Sequence, residues 1–243
     1  MEKSGIPETL MPEVLENLKN AFGDHLESLV LYGSAATGDY RPGKSDINLL
    51  AVLSGAGTAL LDRALPLVKS WRKNRVAVPL FLTEEEIRSS LDVFPLEFLT
   101  MRRHHVLVAG RDVLGGLVFR KEDVRSQCER DLRGKLILLR TGFLDSEGRE
   151  KDLRNLMGES ITAFLSLFQG LLFLKDLEIP PTKRDVLEKT AEAFSLNGKV
   201  FSRCLDIREG KGLPEGENVR EVFMGYMREI EALCIRLDTL QCP

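Results

Sequence analysis

The chain places two groups of chemically capable residues close together in sequence. An apolar run, Leu29-Val30-Leu31-Tyr32, ends on Gly33-Ser34, and twelve residues after Ser34 comes Asp46-Ile47-Asn48, which opens a second apolar run to Leu53. Gly33 permits a tight backbone turn and close approach of an anion. Ser34 brings a hydroxyl and a backbone N–H to the start of a short helix, where partial positive charge favours phosphate. Asp46 and Asn48 are two apart, so in an extended chain they share a face. Their oxygens are hard donors of the kind Mg²⁺ takes. A phosphate cradle beside an oxygen-ligand pair is what holding Mg²⁺ and a triphosphate requires. The Gly-Ser pair alone reads equally well as an ordinary strand–turn–helix with a serine cap.

These residues need strands to position them, and the first half supplies the pattern. Pro12–Phe22 has helical apolar spacing. Ser28–Gly33 is a short strand stopped by glycine, and Ile47–Leu53 is apolar enough for a strand buried on both faces. Gly57–Asn74 reads as an amphipathic helix with Pro66 as a kink or start, and Val76–Leu82 as a strand whose Pro79 marks an edge or bulge. Thr83 caps a helix with Glu84, Glu85 and Glu86 in its first turn, and His104–Gly110 is a further strand. From about Lys121 onward five segments carry apolar residues at three- and four-residue steps: Glu122–Leu144, Lys151–Leu174, Lys183–Phe194, Gly198–Gly210 and Asn218–Leu240. Short polar stretches separate them, so the second half is expected to be a bundle of about five helices.

With 43% apolar and 29% charged residues the chain has the composition of a soluble globular protein. A net charge of −3 argues against bulk electrostatic binding to nucleic acid or to an anionic membrane. The N-terminus lacks a secretory apolar core, and Ile161–Leu174 is too short to span a bilayer, which takes about 20 residues. Cys128, Cys204, Cys234 and Cys242 show no metal-type spacing and read as cytoplasmic thiols.

Tyr32 to Leu53, "YGSAATGDYRPGKSDINLLAVL", resembles the nucleotidyltransferase superfamily related to DNA polymerase β. Its motif is an apolar residue, Gly-Ser, a gap of roughly ten and then Asp-x-Asp or Asp-x-Glu between apolar residues. The order of elements is most similar to aminoglycoside and minimal nucleotidyltransferases. The resemblance implies an α+β chain: an N-terminal nucleotidyltransferase-type mixed sheet with flanking helices over 1–118, then an all-α helical bundle over 119–243. It implies that Gly33 and Ser34 hold the phosphates of an NTP such as ATP. Lys44 and Arg41, in the loop between the motif halves, are placed to reach those phosphates. Asp46 matches the first metal-binding acid, and Asn48 stands where the second belongs. An amide oxygen can ligate Mg²⁺ but adds no charge.

The family's third acid has no clear match, because Val76–Leu82 contains no carboxylate. Leu96-Glu97-Phe98 has the local form of that acid, which makes Glu97 a candidate catalytic residue beside Asp46, although "PLEFLTMRR" also reads as a helix with Glu97 in solvent. The cluster Met101–His105 is either an anion contact or a solvated turn, and Asp39 reads as a loop residue. His25, His104 and His105 all precede the bundle, so it lacks the Arg–His ribonuclease signature of some helical partners in this superfamily. The expectation is a cytoplasmic protein that binds Mg-NTP. It either transfers a nucleoside monophosphate to an unknown acceptor hydroxyl or serves as an inactive binding or regulatory module. A homodimer through the helical half is a further expectation of the resemblance.

Overall fold

The computed structural model describes residues 8–38, 40–43 and 45–240. Asp39, Lys44 and Cys242 lie outside the described residues, and with them the expected phosphate contact of Lys44. The chain divides into two compact units that meet in sequence at Phe119 and Arg120.

The first unit is a four-stranded mixed sheet with helices. It contains α1 (Leu10–Phe22), β1 (Leu26–Tyr32), α2 (Ser34–Thr37), β2 (Asn48–Leu53), α3 (Val68–Lys73), β3 (Leu80–Leu82), α4 (Glu84–Ser89), α5 (Pro95–Arg103) and β4 (His105–Gly110). The strand order is β3-β2-β1-β4. β1 runs antiparallel to β2 and to β4, and β2 runs parallel to β3. The apolar runs explain the central pair. Leu29, Val30 and Leu31 of β1 and Leu49 to Leu53 of β2 are buried, as strands covered on both faces must be.

One face of the sheet packs on α1. Leu29, Leu31, Ile47, Leu49, Ala51 and Leu53 join Val14, Leu18 and Phe22 of α1, together with Trp71 of α3 and Val76. Phe81 lies against Phe22 and Trp71, with ring centroids 5.4 Å and 6.3 Å away. Between β2 and α3 the expected amphipathic α-helix is instead a 3₁₀ segment, Gly57–Leu67, that contains Pro66. A proline there removes an N–H that an α-helix would use, and only the six residues after Leu67 form regular α-helix. β3 is also shorter than expected and starts just after Pro79, at the sheet's edge, where a missing N–H is tolerated. α4 begins as expected: Thr83 and Glu86 form a reciprocal capping box.

The second unit consists, among the described residues, of five helices: α6 (Lys121–Asp145), α7 (Glu150–Leu174), α8 (Lys183–Ala193), α9 (Gly198–Arg208) and α10 (Val219–Asp238). α7 is apolar and long enough to cross a membrane by length and composition, yet it packs against the other four helices. Rings from three helices meet at its centre. Phe168 meets Phe201 edge-on at 5.4 Å, and Tyr226 meets Phe164 and Phe201 edge-on at 6.1 Å and 5.9 Å. The Tyr226 hydroxyl pairs with Ser160 Oγ at 3.1 Å, which satisfies the single polar atom that this ring buries.

Gly110 ends β4 in a left-handed conformation, φ +84°, and a Cβ there would fall 2.0 Å from the Glu27 carbonyl oxygen. Gly23 also has positive φ but open space around it. Gly110→Ala is therefore expected to lower Tm by several degrees more than Gly23→Ala, which carries only the backbone cost. Equal shifts in a thermal melt would contradict the close approach of β4 to Glu27.

Candidate functional site

β1 delivers the chain to Gly33, whose φ of +74° and ψ of −152° suit glycine. A Cβ at Gly33 would stand 3.0 Å from the Asn48 side-chain nitrogen. The two halves of the motif therefore touch, as antiparallel pairing of Tyr32 with Asn48 requires. The Gly33 carbonyl accepts from the N–H groups of Ala36 at 2.9 Å and Thr37 at 3.2 Å, and Gly38, φ +80°, closes the turn. α2 is a single turn. Too few peptide dipoles align in it for the helix-end charge expected from the sequence, which leaves the backbone N–H groups of the turn as the donors it can offer an anion.

Asp46 precedes β2, and its side chain is 59% exposed. Its carboxylate is paired with Arg75, whose Nη2 lies 3.2 Å from Oδ1. The backbone fixes this partner. The Arg75 carbonyl accepts from Ile47 N–H at 2.8 Å, and Ala77 N–H donates back to the Ile47 carbonyl at 2.9 Å. Arg75 itself sits at φ +56°, a left-handed conformation uncommon for a residue with a Cβ. Its Nε donates to the Ser45 carbonyl at 3.4 Å. Ser45 in turn closes the preceding loop: its N–H donates to the Arg41 carbonyl at 2.9 Å, and its hydroxyl accepts from Arg41 N–H at 3.1 Å.

The pairing also determines what lies beside Asn48. Ile47 bridges Val76 in parallel, and both belong to the core on the α1 side. The next residues along each chain, Asn48 and Ala77, therefore share the opposite face. On the β3 side of Asn48 the chain thus has Ala77, a methyl group, and on the β1 side Tyr32. Glu97 is on α5, exposed, with Pro95 in that helix's first turn; the helical reading of "PLEFLTMRR" is the observed one. Glu84 is held below the usual carboxylate range by its hydrogen bond to Arg88 and is also bound to Arg111. Among the described residues, no group of three or more His, Cys, Asp or Glu side chains is placed to hold a metal ion. The donor set beside Gly33, one carboxylate already paired with a guanidinium, one amide and one methyl, does not fit a catalytic Mg²⁺.

The Met101–His105 cluster is tied into the first unit. Arg102 donates to the Leu117 carbonyl at 2.7 Å and lies over the Phe119 ring, 4.9 Å from its centroid. His105 pairs across the sheet with Tyr32, so Asn48, Tyr32 and His105 form one row over β2, β1 and β4. His105 Nε2 is 3.1 Å from Asp112 Oδ1. Asp112 also accepts from the N–H groups of Gly115 and Leu114, and the Gly115 bond contributes most to holding its carboxyl below the ordinary range. The sequence did not single out Arg75, Ala77 or the His105–Asp112 pair. Arg75 and Ala77 depend on a pairing between distant segments, and the His105–Asp112 pair on the turn that follows β4.

No family model and no curated protein matches the chain. Among solved structures it is similar to spectinomycin adenyltransferase AAD(9) from Enterococcus faecialis, solved with ATP and spectinomycin. The TM-score is 0.53 and the identity 16%, over 95% of this chain and 98% of the other. At that identity the likeness establishes the fold: an α+β nucleotidyltransferase-type sheet followed by a helical bundle.

If Ala77 holds the third ligand position, Asn48→Asp alone is expected to leave Mn²⁺ binding weak. Asn48→Asp with Ala77→Glu should then bind Mn²⁺ about tenfold tighter than either single change, a difference of about 1.4 kcal/mol. The measurement is electron paramagnetic resonance of free Mn²⁺. Equal affinity in single and double variants would contradict the placement of Ala77 beside Asn48.

Proposed function

We propose that the chain is a nucleotide-binding protein built on a nucleotidyltransferase fold, and that it works as a binding or regulatory module. The observation that carries this reading is the Gly33–Ser34 turn, whose Gly33 lacks a Cβ and lies against Asn48 at the start of β2. The backbone can approach a phosphate closely there, and Asp46 follows two residues before Asn48 in the same strand region. The similar solved structure was obtained with ATP, which supports ATP as the first nucleotide to test. In this proposal the first unit holds the nucleotide and the helical unit presents a surface to a partner or second ligand, in the cytoplasm.

The reading favours binding over transfer because of the donor set. Phosphoryl transfer from a triphosphate is mostly positioning and charge stabilisation by metal ions held on carboxylates. Here Asn48 and Ala77 supply no charge, and Asp46 is ion-paired with Arg75. A second reading, nucleotidyl transfer to an acceptor hydroxyl with Asp46 and Glu97 as the acids, is favoured by one observation. The similar structure contains both ATP and a second ligand, spectinomycin, and the likeness covers nearly the whole chain.

Millimolar ATP is expected to raise Tm, since a ligand that binds only the folded state stabilises it by about 2.7 kcal/mol at one hundred times Kd. No transfer of label from α-labelled ATP to a panel of polyhydroxylated acceptors is expected. If no NTP moves Tm, nucleotide binding is refuted, and a labelled acceptor would establish the transferase reading instead.

A further inference from the structure

We infer that this site binds the phosphates of a nucleotide without a divalent cation, with the Arg75 guanidinium taking the bridging place of the metal. The inference rests on the nucleotide-binding reading above and sharpens it. Its starting point is the mismatch between the donor set and Mg²⁺: a metal-bridged triphosphate needs several carboxylates, and this strand region offers only Asp46.

Asp46 is already occupied by a cation, and that cation is held in place. Arg75 lies on left-handed backbone, a conformation glycine or asparagine adopts more readily, and is locked there from both sides. Its carbonyl is bound by Ile47, its N–H donates to the Arg72 carbonyl at 3.3 Å, and Val76 N–H donates to the Trp71 carbonyl at 2.8 Å. The side chain is fixed by Asp46 and by the Ser45 carbonyl. A guanidinium carries five N–H donors; here Nε donates to the Ser45 carbonyl and Nη2 lies 3.2 Å from one Asp46 oxygen. The rest of the fork is available to an anion, and the side chain is 45% exposed.

The arrangement has the form of a bridge. One edge of the guanidinium meets a carboxylate, and the other can meet phosphate oxygens in the paired geometry that arginine favours. A divalent ion would do the same with two charges where Arg75 brings one. The Arg41–Ser45 loop brings the backbone of Arg41 to Ser45, whose carbonyl accepts from Arg75, so a second cationic residue belongs to the same loop. Together, Arg41, Arg75 and Asp46 leave a net positive charge for the anion without any metal.

The test is ATP titration by calorimetry in excess EDTA and again in excess Mg²⁺. The expected dissociation constants agree within about threefold. Arg75→Gly suits the left-handed backbone, so it preserves the fold, which the melting curve checks; it should weaken ATP about tenfold or more in both buffers. Arg75→Lys keeps the charge but loses the fork and should fall between the two. Binding that appears only with Mg²⁺ overturns this inference and leaves the nucleotide-binding reading intact, as does an unchanged affinity in Arg75→Gly. No binding in either buffer overturns both.

Discussion

Two backbone hydrogen bonds govern the candidate site: Ile47 N–H to the Arg75 carbonyl at 2.8 Å, and Ala77 N–H to the Ile47 carbonyl at 2.9 Å. They dock the segment after α3 alongside the start of β2. Once made, they place Val76 in the core with Ile47, Ala77 beside Asn48 and the Arg75 side chain on Asp46. A shift of one residue would reverse which side chains face the core and break all three relations. The pairing does advance by one residue farther along. Ile47 pairs with Val76 but Leu50 pairs with Leu80, an irregularity in the stretch that contains Pro79. The regular hydrogen-bonded edge strand is confined to Leu80–Leu82, and the chemistry sits upstream of it.

That register also explains which features were legible in the sequence. β1, β2, the capping box at Thr83 and the five helices of the second unit follow from local pattern. Apolar runs, a Thr-to-Glu reciprocal cap and three- and four-residue spacing each report on their own few residues. The contact of Gly33 with Asn48 was also within reach, since a strand, a short loop and a second strand bring the motif halves together. Arg75 and Ala77 were not. Their partners lie about thirty residues away, and parallel pairing leaves no local signature of its register. Glu97 shows the opposite case. An apolar–acid–apolar triplet satisfies a strand template, but Pro95 at the start and the apolar residues Leu96, Phe98 and Leu99 on the buried side make it a helix.

The fold and the chemistry therefore separate along a clear line. The sheet-and-bundle fold is shared over 95% of the chain with a solved adenyltransferase at 16% identity. Gly33 leaves the turn without a Cβ beside Asn48, and around it stand an amide at Asn48, a methyl group at Ala77 and the Asp46–Arg75 ion pair. An exposed pair of this kind contributes at most about 1 kcal/mol to stability. Its consequence lies in what it does to Asp46: a guanidinium competes with a metal ion for the one carboxylate, and neither Asn48 nor Ala77 supplies a second. Function is set by such sites and not by the scaffold that carries them.

The most direct test of this account is a crystal structure of the protein grown with ATP and Mg²⁺. The account predicts the triphosphate against the Gly33–Ser34 turn, Arg75 in contact with both Asp46 and a phosphate oxygen, and no cation between Asp46 and Asn48. A magnesium ion coordinated by Asp46 and Asn48, with Arg75 turned away, would contradict it.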